Sequence, residues 1–223
     1  MIYFYLLLSL TALYYSGRVL LFQLTHLIHR VGGDRRFLII IWSLIFLPGT
    51  IIHELSHFFM AILVGARTGK IEVFPEFLDT ENPDGGVALG SVQTPKLNII
   101  QGVLVGLAPA LTGLGLLVWL GSLILQSYNL ATYQNLAFQI YLFFTVSNSF
   151  FPSRTDLNHA IPAAITAAVC IAIAWLVGVQ FSLSISDGVA SVSKVILVTI
   201  LLGTTLNLFI SFIFFILRKA INR

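Results

Sequence analysis

The segment TIIHELSHFFM, residues 50–60, places two histidines and a glutamate within five positions of one another. Positions i and i+4 of a helix lie on one face, so His53 and His57 can present both imidazoles to a single Zn²⁺ ion. Glu54 then stands beside the metal, where it can take a proton from a water molecule. The pattern predicts a zinc centre with its own general base. The alternative is structural, with two buried histidines and a protonated glutamate satisfied by neighbouring helices.

A catalytic zinc site needs a third protein ligand and leaves a fourth position for water. The best candidate segment is VSNSFFPSRTDLNHA, residues 146–160, where polar side chains follow an apolar run. Asp156 and His159 are three residues apart, so on a helix both can face the metal. Imidazole is the commoner ligand, which favours His159, whereas an unpaired carboxylate beside the membrane needs a cation, which favours Asp156. His26 and His29 are interpreted as interfacial side chains.

The setting of these residues is predicted to be a membrane. Of the 223 residues, 57% are hydrophobic and 9% are charged, whereas soluble domains carry about 25% charged residues. The chain is therefore expected to be an integral membrane protein in contact with the lipid bilayer. Its net charge of +3 is too small and too scattered for a nucleic-acid-binding protein, which carries a basic stripe. Cys170 is the single cysteine, which excludes an internal disulfide.

The predicted fold is an all-α polytopic membrane protein with about six transmembrane helices and a small surface β-hairpin after the second. A helix needs about 20 apolar residues to cross the hydrocarbon, and the candidate spans are 2–24, 37–66, 99–126, 133–152, 160–178 and 195–217. The hairpin is predicted within 67–98, where the β-prone runs KIEVF and VALGSV flank the turn-rich ENPDGG. A solvated loop is the alternative. Residues 1–223 then form a single membrane-embedded domain.

The distribution of Lys and Arg predicts the orientation of these spans. With six spans, both termini and loop 67–98 lie on one side of the membrane, and that side carries more Lys and Arg than the other. The positive-inside rule then places the termini and the loop in the cytoplasm. The plasma membrane is the predicted location.

Two motifs of the chain resemble those of the site-2 protease family of intramembrane zinc metalloproteases. That family joins a membrane-embedded His-Glu-x-x-His to a later aspartate within an Asn-x-x-Pro-x-x-x-x-Asp-Gly motif. Here Asp156 follows His57 by 99 positions, and Asn148 precedes Asp156 by the family's eight. The chain departs from the pattern at Pro152, which is displaced by one position, and at Leu157, which replaces the glycine.

The resemblance implies an intramembrane zinc endopeptidase. It implies Zn²⁺ as the cofactor, with His53, His57 and Asp156 as its ligands. Glu54 would be the general base, and Asn148 would hydrogen-bond the oxyanion of the tetrahedral intermediate. The resemblance thus favours the aspartate over the neighbouring histidine as the third ligand.

The expected partner is a single-span membrane-protein substrate, and the surface hairpin could capture its unwound segment by strand addition. The resemblance covers the core, residues 37–160. The glycine-rich GLAPALTGLGLL, residues 106–117, lacks the asparagine of the corresponding family segment and is interpreted as helix packing. Two other functions stay open: a transporter-like metal-binding membrane protein without proteolysis, and an inactive protease homologue. The sequence specifies neither the substrate nor the oligomeric state.

Overall fold

In a computed structural model of the protein, the described residues form six α-helices and four two-residue strands. In chain order these are α1 (Ile2–Arg30), α2 (Arg35–Leu63), β1 (Ile71–Glu72), β2 (Glu76–Phe77), β3 (Val87–Ala88), β4 (Ser91–Val92), α3 (Ile99–Asn129), α4 (Leu136–Ser149), α5 (Arg154–Leu176) and α6 (Asp187–Ala220). The structure describes residues 2–33, 35–66, 71–72, 76–77, 87–88, 91–92, 97–130, 133–176 and 187–221.

Four helices of the described part are long and apolar enough to cross a membrane: α1, α2 from Arg36 onwards, α3, and α6 from Gly188 onwards. Their outward surfaces are apolar, as Leu63 at 79% and Phe209 at 61% exposed illustrate. Large contiguous apolar surfaces are rare on monomeric soluble proteins and indicate contact with a membrane or a partner. The protein is therefore a helical membrane protein, as the composition predicts.

The structure supports fewer membrane-length helices than the six predicted. The predicted span 133–152 contains α4, whose 14 residues extend about 21 Å, which is less than the ~30 Å hydrocarbon core. The predicted span 160–178 runs through α5, where several side chains lie outside the described residues. The count of six spans stays a prediction.

Most of the predicted hairpin loop, 67–98, lies outside the described residues. The described pieces are paired and antiparallel: β1 pairs with β4, with Ile71 opposite Val92, and β2 pairs with β3, with Glu76 opposite Ala88. A single continuous hairpin through this segment stays a prediction.

Helix α4 lies at the centre of the bundle and packs against α1, α2, α3 and α6. Five consecutive residues, Phe143–Ser147, are buried, and a helix that is buried all round has no solvated face. The main apolar core joins α4 and the turn after it to α1, α3 and α6, through Leu13, Leu117, Leu120, Phe143, Val146, Phe150 and Ile200. This packing fixes the carboxyl end of α4.

The end of α2 and the start of α3 are held by local signals in the sequence. Gly65 has a φ of +68°, a left-handed conformation that suits glycine just after a helix. Asn98 caps α3 and forms a reciprocal capping box with Gln101. Gln101 Nε2 also donates to the carbonyl of Val64 at 3.0 Å. The two helices are therefore tied together at one end, with their lengths running side by side.

Candidate metal centre

Three side chains from two helices converge on one point. His53 and His57 come from α2, and Asp156 comes from the first turn of α5. The Nε2 atom of His53 lies 3.6 Å from Asp156 Oδ2, and that of His57 lies 3.2 Å from Asp156 Oδ1. One ligand atom from each residue lies within 4.8 Å of the others, so the group can hold a metal ion.

Both imidazoles are oriented by backbone carbonyls. His53 Nδ1 lies 2.6 Å from the carbonyl oxygen of Ser149, and His57 Nδ1 lies 2.8 Å from that of Val105. A carbonyl oxygen only accepts hydrogen bonds, so Nδ1 is the protonated donor in both rings. In the neutral imidazole the lone pair then lies on Nε2. Metal-ligating histidines are held in this way, with the second ring nitrogen donating to a fixed acceptor.

The donor atoms face one another closely enough to need a shared positive charge. The two Nε2 atoms are 3.2 Å apart, and the Asp156 carboxylate lies beside both. With both Nδ1 atoms protonated, the two Nε2 lone pairs and the carboxylate repel one another unless a metal ion or a proton on Nε2 lies among them. Two imidazole nitrogens and one carboxylate oxygen are a donor set typical of catalytic zinc, and they also suit other first-row divalent metals.

The sequence around Asp156 explains why its carboxylate is placed here. Ser153 N donates to Asp156 Oδ2 at 2.7 Å, and Asp156 N donates to Ser153 Oγ at 3.2 Å. This reciprocal pair is a capping box that starts α5 at Arg154. One carboxylate oxygen therefore stabilises the helix start, while the other, Oδ1, is the atom closer to His57.

Helix α3 contacts the site through Gly106. A Cβ atom built on this glycine would lie 2.4 Å from the carbonyl oxygen of Asp156, a separation that no side chain can adopt. The absence of a side chain lets α3 lie directly against the first turn of α5. The preceding residue, Val105, supplies the carbonyl that accepts from His57. The glycine-rich stretch thus does pack helices, as predicted, but it packs against the backbone of a candidate ligand.

A second glycine brings α2 and α4 together. A Cβ on Gly49 would lie 2.5 Å from both the Thr145 carbonyl oxygen and Ser149 Oγ. One turn further along α2, His53 reaches the carbonyl of Ser149. Close approach at the glycine therefore brings the α4 carbonyl within reach of the imidazole. This role could not be predicted from the sequence, because the glycine lies in an apolar run with no motif around it.

Glu54 is buried, at 7% exposed, and lies between the two histidines in α2. Its carboxyl group is within electrostatic range of His53, His57 and Asp156. The structure thus places the predicted general base next to the candidate ligands. Its catalytic role stays a prediction.

Asn148 pairs with α6. Its Nδ2 donates to Asn207 Oδ1 at 2.8 Å and to the Phe144 carbonyl at 2.9 Å. In return, Asn207 Nδ2 donates to Asn148 Oδ1 at 3.0 Å, and it also donates to Ser16 Oγ at 3.1 Å. Both amide hydrogens of Asn148 are engaged in this arrangement. Its predicted oxyanion role therefore requires the pair with Asn207 to open.

Two other histidine candidates lie in α5 and α1. His159 lies in α5 one turn after the aspartate, and its side chain lies outside the described residues. The ring of His26 stacks near Phe22, with centroids 4.0 Å apart, and its Nδ1 lies 2.8 Å from the Phe22 carbonyl. Its contacts are thus local to α1.

Comparison with known proteins finds no family model, curated protein or solved structure that matches this chain. By its fold and side chains, the protein is a helical membrane protein with a candidate metal site of two histidines and one aspartate. The resemblance to site-2 proteases rests on the motif residues.

Proposed function

We propose that the protein is an intramembrane zinc metalloendopeptidase that cleaves single-span membrane proteins. The observation that carries the proposal is the meeting of His53, His57 and Asp156 within a helical membrane protein. Both imidazoles are pre-oriented by carbonyls from other parts of the bundle. A carboxyl group, that of Glu54, is buried beside them.

The three donors suit a catalytic rather than a structural zinc site, because structural sites use four protein ligands. A bound zinc ion would supply Lewis-acid activation of water and of the scissile carbonyl. Glu54 accepts the proton of the attacking water and returns it to the leaving amine. Val105 and Ser149 hold the two imidazoles in place throughout, since their carbonyls are fixed by helix packing.

The depth of the site supports a membrane-embedded substrate. His53 lies ten residues before Leu63, which is about 15 Å along α2. The substrate peptide must unwind there before its amides can react, because they are hydrogen-bonded within its own helix.

We further propose six spans with the termini in the cytoplasm of a plasma-membrane protein. The paired strands after α2 would bind the unwound peptide as an added strand.

The test is Glu54→Gln, with metal content and cleavage of a generic single-span substrate measured on the same purified protein. We expect about one zinc per chain in both proteins and cleavage only by the unchanged one, because the glutamate of this motif is not a ligand. Ser56→Ala is the matched control: it lies in the same helix, and its hydroxyl donates to its own helix at Ile52. That variant should keep both zinc and activity.

Retained proteolysis by Glu54→Gln would contradict the proposal. A metal flux that survives the same substitution would instead indicate a transporter, because transport does not need a general base. Zinc without cleavage in the unchanged protein would indicate an inactive homologue.

A further inference from the structure

Arg18 is a cation within an apolar helix. It lies twelve residues before Arg30, which is about 18 Å from the end of α1. Within the described residues no acidic side chain lies at ion-pair distance from it, and its guanidinium carbon lies 5.7 Å from the centroid of the Tyr14 ring. An ionisable residue within a membrane span is costly and marks a functional site unless it has a partner.

Arg18 lines a cavity of about 180 Å³ between α1, α2 and α4. Tyr14, Trp42, Asn148 and Phe151 also line this cavity. Since a water molecule takes about 30 Å³ of liquid volume, the space admits a carboxylate on a short stem. Aromatic walls with a few convergent polar groups are typical of a binding site.

The cavity and the candidate metal centre both use the carboxyl end of α4. Asn148 lines the cavity, and the next residue, Ser149, supplies the carbonyl that accepts from His53. A chain segment anchored in the cavity would therefore run close to the metal ligands. Guanidinium groups bind carboxylates in a planar, two-bond geometry that an ammonium group cannot make.

We propose that Arg18 and its cavity bind an acidic side chain in the membrane-spanning segment of the substrate, and thereby select substrates and set their register. The inference rests on the proposed function, since the bound chain is taken to be the substrate. It is tested by binding rather than by cleavage, so it can fail separately. The full-length protein carrying Glu54→Gln is placed in nanodiscs of neutral lipid. Fluorescent single-span leucine-alanine peptides with a central Asp or a central Asn serve as probes.

We expect the Asp peptide to bind roughly tenfold more tightly than the Asn peptide, since a charge-assisted pair is about twice as strong as a neutral one. The preference should vanish in Arg18→Gln and persist in part in Arg18→Lys, while both variants keep their zinc. Arg18→Glu should reverse the preference in favour of a peptide with a central Lys.

Equal binding of the Asp and Asn peptides by the protein that retains Arg18 would overturn the proposal, and this comparison needs no folded variant at this position. A preference that survives in Arg18→Gln would overturn it as well. So would a preference that disappears when phosphatidylglycerol is added to the nanodiscs, because the cation would then be a site for lipid phosphate. Absence of cleavage by any form of the protein would count against the protease function alone.

Discussion

Around the candidate metal ligands, α2 and α3 approach α4 and α5 through backbone carbonyls and a glycine, whereas α1 and α6 add a network of polar side chains to their apolar packing against α4. In the first region the histidines donate to the carbonyls of Val105 and Ser149, and Gly106 lies against the backbone of Asp156. Each of these contacts depends on how closely two helices approach. None depends on the chemistry of the supporting side chain.

In the second region, where α1 and α6 pack against α4, hydrogen bonds between amide and hydroxyl groups accompany the apolar core. Asn148 and Asn207 form a reciprocal amide pair, and Ser16 accepts from Asn207. Asn207 is 0% exposed, so an amide left unpaired there cannot form a hydrogen bond with water instead. The comparison predicts that added volume at Gly106 acts on the metal region, the surroundings of His53, His57 and Asp156, while hydrogen bonds lost at Asn207 act on the α1–α6 region. The two kinds of change should therefore have separate consequences.

The largest effect is expected from the third ligand. Asp156→Ala should lower zinc affinity by more than about 100-fold and abolish cleavage, since loss of even a supporting group costs 10–100-fold. His159→Ala, in the same helix, should keep the metal and much of the activity. Competition with a chelator of known zinc affinity measures both. Zinc lost in His159→Ala and kept in Asp156→Ala would assign the ligand to the histidine instead.

A smaller effect is expected from added volume at Gly106. In Gly106→Ala the new Cβ meets the Asp156 carbonyl, so α5 must shift, with a loss of about 1–3 kcal/mol in unfolding free energy and roughly 10–100-fold in zinc affinity. Gly115→Ala is the matched control, because a Cβ there meets nothing within 4 Å. It should leave zinc affinity unchanged and stabilise α3 by up to about 1 kcal/mol. Equal zinc affinity in the two variants would show that zinc binding does not depend on the close approach of α3 at Gly106.

The smallest effect on the metal is expected from the α1–α6 region. Asn207→Leu removes the two hydrogen bonds between Asn148 and α6 and should lower the unfolding free energy by about 1–2 kcal/mol. Zinc affinity should change little. The double variant with Asn148→Leu should recover stability, because removing both partners avoids the unpaired group. Thr205→Ala, an exposed position of α6 with a local hydrogen bond to Leu201, is the control.

Unfolding in mixed micelles and zinc titration on the same samples separate these effects. If Asn207→Leu releases zinc as readily as Gly106→Ala, the division between the two regions is wrong. The metal site would then depend on the whole bundle.

The residues that the sequence identified are those whose chemistry is in the side chain. The i, i+4 spacing of His53 and His57 places both on one face of any helix, and Asp156 was favoured by its spacing from Asn148. The capping box with Ser153 that positions its carboxylate was found in the structure. The supporting carbonyls of Val105 and Ser149 were beyond prediction, because every residue has a carbonyl and only tertiary packing selects two of them.

The partner of Asn148 was hidden for a related reason. Spacing along the chain matched it to Asp156, but its amide is bound by Asn207, 59 residues away in α6. Buried amides pair with whatever polar group the packing brings near, and the apolar pattern of α6 does not specify its rotation. Four helices of the described part reach membrane length, and the count of six spans stays a prediction, because apolar content alone does not distinguish a spanning helix from a short buried one such as α4.

The central claim is that His53, His57 and Asp156 hold a catalytic zinc ion, and zinc-edge X-ray absorption of the purified protein tests it most directly. With one equivalent of zinc we expect two imidazole nitrogens at about 2.0–2.1 Å and oxygen ligands at about 2.0–2.2 Å, without sulfur. His53→Ala should lose one imidazole from this shell or lose the metal. A protein that binds no stoichiometric zinc, or whose zinc shell contains no imidazole, would contradict the account.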